Sequence, residues 1–253
     1  MKIQICSDLH LEFPANREWL KEHPLVPKGD ILVIAGDTYY LERSYHKMDF
    51  IRQVSKDFEA VYLIPGNHEY YGGFDAATAL EPTFKEIMAN VFLVNNHTVE
   101  IEDISFIFST MWSEIRNHIT EITRGMVDFH RIQFGEEQFN VDHFNHLHQV
   151  ACDYLSSEVK KKGKKVVITH HLPSNACNAE EFKGSALNDA FCVEKTDFIL
   201  DHEIDFWIYG HSHRNLPDFD LGGTKMITNQ FGYVNWNEHL YFDRQKIVEV
   251  IQT

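Results

Sequence analysis

Ten side chains able to bind a divalent cation stand in five short segments, most of them just after an apolar run. The segments read Asp8-Leu9-His10, Gly36-Asp37, Gly66-Asn67-His68-Glu69, His170-His171 and Gly210-His211-Ser212-His213. They offer carboxylate oxygens, an amide oxygen and imidazole nitrogens, a mixture that suits Mn, Fe, Zn, Co or Ni. The set is large enough for two cations side by side, and paired cations are a common means of hydrolysing phosphate esters. Singly, each segment has a plainer reading. Gly36-Asp37 is a common turn signal, and Asn67-His68 could simply end a strand. With 16 histidines in the chain, some pairs arise by chance. His143, His146 and His148, on one predicted helix, are read as solvated or lid residues.

Jointly and in order, the five segments resemble the calcineurin-like metallophosphoesterase superfamily, whose pattern runs D-x-H, G-D-x, G-N-H-[DE], H and G-H-x-H. The resemblance spans Asp8 to His213, nearly the whole chain. It implies an α/β fold, a four-layer αββα sandwich of two mixed β-sheets flanked by helices. It also implies that Asp8, His10 and His213 hold one metal, that Asn67, His170 and His211 hold a second, and that Asp37 bridges them. His68 resembles the family's catalytic histidine, which protonates the departing alkoxide. Glu69 is a candidate acceptor that orients a histidine, and His171 is expected in or behind the pocket. The implied function is hydrolysis of a small phosphomonoester or phosphodiester, a nucleotide among the candidates, by in-line attack of a hydroxide between two divalent cations, with Mn favoured. Two rival readings remain: a non-catalytic metal-binding scaffold on the same fold, and a nuclease of the superfamily. His68 and the filled ligand positions favour an enzyme.

Narrower features point in two directions. Protein serine/threonine phosphatases extend the second motif to G-D-x-V-D-R-G. Here it reads Gly36-Asp37-Thr38-Tyr39-Tyr40-Leu41-Glu42-Arg43, so only a displaced Arg43 could replace the usual arginine. Ser109-Thr110-Met111-Trp112, a later Asp128, and Asn229-Gln230-Phe231-Gly232-Tyr233 resemble a subgroup of small bacterial-type metallophosphoesterases.

Composition sets the remaining bounds. The 253 residues are 43% hydrophobic and 24% charged, as in ordinary globular proteins. A formal net charge of -15 repels polyanions and disfavours duplex nucleic acid as a partner. The basic run 160–165 reads as a solvated helix C-terminus stopped at Gly163. Cys6, Cys152, Cys177 and Cys192 lack C-x-x-C spacing, and no signal-peptide or membrane-spanning pattern is evident. The expectation is a cytoplasmic protein with reduced thiols and no membrane partner.

The elements that must position these groups follow from periodicity. Apolar β-rich runs predict strands over 2–6, 31–35 and 61–64, and helical spacing marks 44–58 and 76–89. The runs 91–94, 98–101 and 105–109 follow without helices, suggesting antiparallel pairing. A long helix is predicted over 141–161 and another over 189–201, with strands over 166–169, 206–209, 225–228 and 247–251. A single domain over 1–253 is favoured, with a cap or insert at about 111–140. Asp8, Asp37, Asn67, His170 and His211 each follow a strand run, so they gather at the carboxyl ends of the strands. Asp8 and His10, two apart, face the same side if the backbone stays extended. Arg116, Arg124 or Arg131 of the insert could meet a phosphate, and Tyr39, Tyr40, Tyr70 and Tyr71 could stack on a substrate or merely pack.

Overall fold

The strands carry the fold because the central ones are buried at nearly every position, so that alternate residues supply apolar side chains to both faces of two sheets. In the computed structural model, which describes residues 1–41, 45 and 48–251, the first sheet has the order β14-β1-β2-β3-β5-β4. These strands are β1 (Lys2–Cys6), β2 (Ile31–Ala35), β3 (Ala60–Ile64), β4 (Thr83–Met88), β5 (Val91–Asn95) and β14 (Ile247–Glu249). The second sheet runs β12-β13-β11-β10-β7-β6. It comprises β6 (His97–Ile101), β7 (Ile104–Ser109), β10 (Lys164–Thr169), β11 (Phe206–Tyr209), β12 (Phe219–Leu221) and β13 (Thr224–Thr228). Each sheet has a parallel centre and antiparallel edges.

Alternate residues of the two sheets meet in one shared core. Ile3, Ile5, Val33, Ala35 and Ile64 pack against Phe106, Phe108, Val166, Ile168 and Ile208. The opposite face of the first sheet, with Leu32, Ile34 and Leu63, is covered by α1 (Pro14–Glu22) and α2 (Asp49–Asp57) through Leu20, Ile51 and Val54. The opposite face of the second, with Ile107, Val167 and Trp207, is covered by α5 (Val141–Glu158) and α6 (Thr196–Leu200) through Leu155 and Ile199. The result is the expected helix–sheet–sheet–helix sandwich.

Segment 111–140 builds a further core of its own. It holds the short helices α3 (Ile119–Gly125) and α4 (Asp128–Arg131) and a small hairpin of β8 (Gln133–Phe134) and β9 (Glu137–Gln138). Trp112, Ile122, Phe129 and Phe139 pack there with Tyr70, Tyr71 and Phe144. Aromatics drawn from turns and short elements explain why no single period runs through this stretch. No helix among the described residues is long and apolar enough to cross a membrane.

Three expected elements differ. Over 76–89, the helical spacing gives way to a 3₁₀ turn at Ala76–Leu80 and the edge strand β4. Pro82 disfavours helical backbone at Glu81, and the open edge of β5 supplies a ladder. Over 189–201, a bridge between Leu172 and Cys192 pulls the backbone straight and leaves a 3₁₀ turn at Asn188–Ala190 and α-helix only at Thr196–Leu200. The runs near 91–109 divide between sheets. β6 and β7 form the expected hairpin, but β5 stays in the first sheet, and the chain crosses over at Asn96 in a left-handed conformation (φ 46°).

The inter-sheet core is the main store of stability. Replacing the fully buried Phe106 with Ala should cost about 3–5 kcal/mol, read as a lower urea midpoint at unchanged m-value; a smaller loss than Phe84→Ala, on the exposed edge, would contradict this packing.

Candidate metal centre

The carboxyl ends of β1, β2, β3, β10 and β11 open onto one rim, and the five motifs occupy the loops that follow them. These loops are not extended. Asp8 (φ 56°), His10 (46°), Asp37 (54°), His211 (76°) and His213 (53°) all take left-handed backbone, which corrects the expectation that Asp8 and His10 share a side through a continuing strand. Loop-to-loop hydrogen bonds hold these turns: Asp8 N–H to Gly36 O (3.0 Å), His10 N–H to Asp37 O (2.9 Å) and Gly210 N–H to His170 O (3.0 Å). Left-handed non-glycine residues are costly and gather at functional sites.

The turns bring the side chains into two buried groups that share Asp37. Ligand atoms of Asp8, His10, Asp37 and His213 lie within 4.8 Å of one another, as do those of Asp37, His170 and His211. Asp37 Oδ2 is 3.7 Å from His10 Nε2 and 3.4 Å from His170 Nε2. His213 Nε2 lies 3.5 Å from Asp8 Oδ1. Asn67 Oδ1 is 3.3 Å from His170 Nε2, which places the amide oxygen in the second group.

The donor set fits cations because the outward nitrogens are already spoken for. His10 Nδ1 lies 3.2 Å from Glu12 Oε1, and His213 Nδ1 lies 2.7 Å from Glu238 Oε2. His170 Nδ1 lies 2.8 Å from Ala35 O. In the neutral form of each ring, with Nδ1–H donating outward, Nε2 turns a lone pair inward. His10 and His213 present these nitrogens 2.8 Å apart, a contact that two neutral rings with their protons on Nδ1 cannot satisfy and a cation can. His211 is arranged the other way: its Nε2 is 3.3 Å from Ala190 O, leaving Nδ1 for the group. Asn67 directs its Nδ2–H₂ to Asp128 Oδ1 and Tyr71 OH, both at 3.0 Å, so its oxygen faces inward. These His/Asp clusters are consistent with a dimetal site, second-layer partners included.

Electrostatics explain the balance of charge. Burial opposes ionisation of Asp37, but His170 and His68 hold its carboxyl well below the usual range. Burial likewise opposes the charged form of His170, which the charge of Asp37 pushes up to about 10. For His68, burial is outweighed by Asp37 and then by the hydrogen bond to Glu12, raising it to about 8. Glu12, pushed up by burial, is brought down to about 2 by hydrogen bonds from His10 and His68.

His68 stands beside both groups rather than in either. Its backbone N–H donates to Asp37 Oδ1 (3.0 Å), its Nδ1 is 2.8 Å from Glu12 Oε1, and its Nε2 is 3.4 Å from Tyr233 OH. Glu69 does not orient a histidine. It lies fully buried and accepts backbone N–H bonds from Asp37, Thr38 and Gly66 at 2.7–3.0 Å, stapling the second and third motifs together. The histidine-orienting acids are Glu12 and Glu238, which the sequence reading passed over.

Other expected residues sort clearly. His171 is buried behind the second group, its ring 4.2 Å from that of His211. His148 is not solvated; it is buried with Nδ1 against Trp112 O, whereas His146 is exposed and His143 stacks on Phe134. Arg116 pairs with Glu114 at an exposed position, and Arg124 is exposed. Arg131 lies over the rings of Tyr40 (5.4 Å) and Tyr71 (5.2 Å), and the Tyr71 ring lies 4.2 Å from that of His68. Tyr70 packs on Trp112. Arg43 lies outside the described residues.

Two motif glycines exist for clearance. A Cβ on Gly66 would lie 2.2 Å from Asp37 Oδ1 and 2.6 Å from His170 Nε2; one on Gly36 would lie 2.3 Å from His170 Nδ1. Gly66→Ala should therefore reduce Mn²⁺ bound per chain, by calorimetric titration of metal-stripped protein, while the circular dichroism of the fold persists; full wild-type stoichiometry would count against the geometry.

Comparison with known proteins agrees with this architecture. The Calcineurin-like phosphoesterase family matches residues 1–215. An uncharacterised protein of Acanthamoeba polyphaga mimivirus is 29% identical over 97% of this chain and 98% of its own. The phosphopantetheinyl hydrolase of Mycobacterium tuberculosis shares the fold at 14% identity with a TM-score of 0.67, covering 98% of this chain and 95% of that one. A dimetal phosphatase from Danio rerio is similar at 14% identity and a TM-score of 0.52, covering 91% of this chain and 87% of its own. With the matched region taking in all five motifs, the chain belongs to the calcineurin-like phosphoesterase family.

Proposed function

We propose that this protein is a dinuclear metal-dependent phosphohydrolase acting on a small phosphomonoester or phosphodiester, with Asp8, His10, Asp37, Asn67, His170, His211 and His213 as ligands and His68 as the catalytic histidine. The observation that carries the reading is Asp37, buried and shared by two groups of ligand atoms, with His68 tied to its carboxylate. Bound there, two cations would supply Lewis acidity for the phosphoryl group and hydroxide near neutral pH. Mn is the favoured metal, since mixed N/O ligation suits it and availability decides among close competitors. The cytoplasm, where free thiols persist, is the matching compartment for Cys6, Cys152, Cys177 and Cys192.

The chain's own groups divide the remaining work. Glu12 holds the Nδ1–H of His68 and leaves Nε2 as the atom that gives a proton to the leaving oxygen. Asp128, from the 111–140 segment, fixes the Asn67 amide and so ties the proposed cap of a single-domain protein to the second cation position. Of the three arginines of that segment, Arg131 is the one beside the site. It is exposed, meets no carboxylate among the described residues, and is oriented by its bonds to Tyr71 O (2.9 Å) and Tyr40 OH (3.4 Å). Its charge remains available to an anionic part of the substrate.

Two measurements test this. Metal-stripped protein should hydrolyse neither p-nitrophenyl phosphate nor bis-p-nitrophenyl phosphate. Mn²⁺ should restore turnover on at least one, and His68→Ala should lower kcat by about 10²–10⁴-fold on an alkyl ester and by less on the nitrophenyl esters, whose leaving oxygen needs little protonation. Two bound cations without turnover would favour the scaffold reading. Arg131→Ala should raise KM about three- to tenfold for an ester whose leaving group carries a second anion and leave kcat unchanged. Equal KM values in the two proteins would remove Arg131 from the substrate contacts.

A further inference from the structure

Tyr233 is absent from the ligand and acid roles above, yet its hydroxyl lies at the free nitrogen of His68. Gly232, at φ 70°, turns the chain back toward the metal centre, and its N–H donates to Asp8 O (3.0 Å) while Asn16 Nδ2 donates to its carbonyl (2.9 Å). The Tyr233 N–H donates to Glu238 Oε2 (2.9 Å), the same carboxylate oxygen that accepts from His213 Nδ1. The ring is therefore fixed by groups that also fix the ligands. Its centroid lies 4.6 Å from those of His10 and His213, and Phe13, partly exposed, packs edge-on against it at 5.2 Å.

His68 is bracketed. Glu12 takes one ring nitrogen at 2.8 Å, and the Tyr233 hydroxyl stands 3.4 Å from the other. Catalytic hydrogen bonds are often long in a substrate-free site and tighten in the reacting complex. The oxygen that receives the Nε2 proton must come within hydrogen-bond reach of Nε2. The Tyr233 hydroxyl, 3.4 Å from Nε2, borders the space that oxygen must enter.

Building on the proposed hydrolase reading, we infer that Tyr233 serves the leaving group: its hydroxyl holds His68 Nε2 in the free enzyme and donates a hydrogen bond to the departing oxygen during hydrolysis. Water supplies the oxygen that bonds to phosphorus and gives up one proton to solvent, and His68 takes one back from solvent after the alcohol has left. The electron pair of the broken P–O bond passes to the leaving oxygen, which takes the Nε2 proton and departs as an alcohol, leaving His68 neutral with its Nδ1–H on Glu12. Tyr233 keeps its own proton throughout and supplies only the hydrogen bond. Its contribution must grow with the charge that builds on the leaving oxygen, so it matters most for alkyl esters and least for nitrophenyl esters.

Tyr233→Phe removes the hydroxyl and keeps the ring. With Mn²⁺-loaded protein, kcat should fall about tenfold on an alkyl ester and less than about twofold on the p-nitrophenyl ester of the same type. In the metal-free protein, the ¹⁵N resonance of His68 Nε2 should move in the variant while that of Nδ1 stays. Equal losses on both leaving groups in an active enzyme, or an unmoved Nε2 resonance, would overturn the role of Tyr233 alone. A wild type that binds two cations and hydrolyses neither ester would overturn the hydrolase reading, and the leaving-group role with it.

Discussion

One buried carboxylate sets the terms for the rest of the molecule. Asp37 is 1% exposed and faces ligand nitrogens on two sides. A charge in that position is tolerable only if positive charge and hydrogen bonds surround it. Each neighbour answers that demand. Gly66 has no Cβ because its place is taken by the Asp37 carboxylate, Glu69 ties down the Asp37 backbone, and the His68 N–H donates to Asp37 Oδ1. Glu12 adds a second buried acid that His10 and His68 hold low, while burial pushes Glu69 and Asp128 up toward their neutral forms, so negative charge concentrates at Asp37 and Glu12, where neutral imidazoles cannot offset it. Two divalent cations would resolve that imbalance more completely than protonated His170 and His68 do.

The backbone carries a cost for the same reason. Five of the candidate ligands adopt left-handed conformations, each costing on the order of 1–3 kcal/mol. A strand cannot continue past its end and also aim consecutive motif residues inward, so the chain must turn sharply at once. The sandwich can sustain this because its cores lie on both faces of both sheets, and because the turns bond to one another much as strands would. Asp8 N–H to Gly36 O, His10 N–H to Asp37 O and Leu11 N–H to Thr38 O prolong the β1–β2 pairing through the loops. Asn229 and Gln230 extend the same bracing: Asn229 Nδ2 bonds to Ile5 O, and Gln230 Oε1 receives the His213 N–H. That part of the sequence, set aside as a narrower resemblance, frames the site.

How much of this was legible in the chain depends on whether the signal was local. Strands such as β2, with five buried apolar residues in a row, announce themselves, and the motifs after them follow. The segment 76–89 misled because helical spacing is only a preference, which Pro82 and a vacant sheet edge overrode. Glu69 sits beside a histidine in sequence but points its carboxylate at the backbone of another loop, something no spacing reports. Glu12 stands two residues after His10, indistinguishable in sequence from an ordinary loop acid, and Glu238 lies far from His213 along the chain. His148 did carry a signal: with Phe144, Leu147, Ala151 and Leu155 it lines the buried face of α5. A polar residue on that stripe needs a partner, and Trp112 O provides one.

The acidity of the chain bears on substrate size rather than on catalysis. With a net charge of -15, the surface repels any phosphate at long range. At physiological salt that repulsion decays over about 8 Å. A small ester reaching the rim is then governed by what lies within that distance, where Arg131 and cations held by the two clusters would face it. A duplex would lay many phosphates along a strongly acidic chain outside that radius, an arrangement that releases few counterions. Under the proposed hydrolase reading, the same local concentration of positive charge in an acidic protein would favour a compact phosphate ester over a long one.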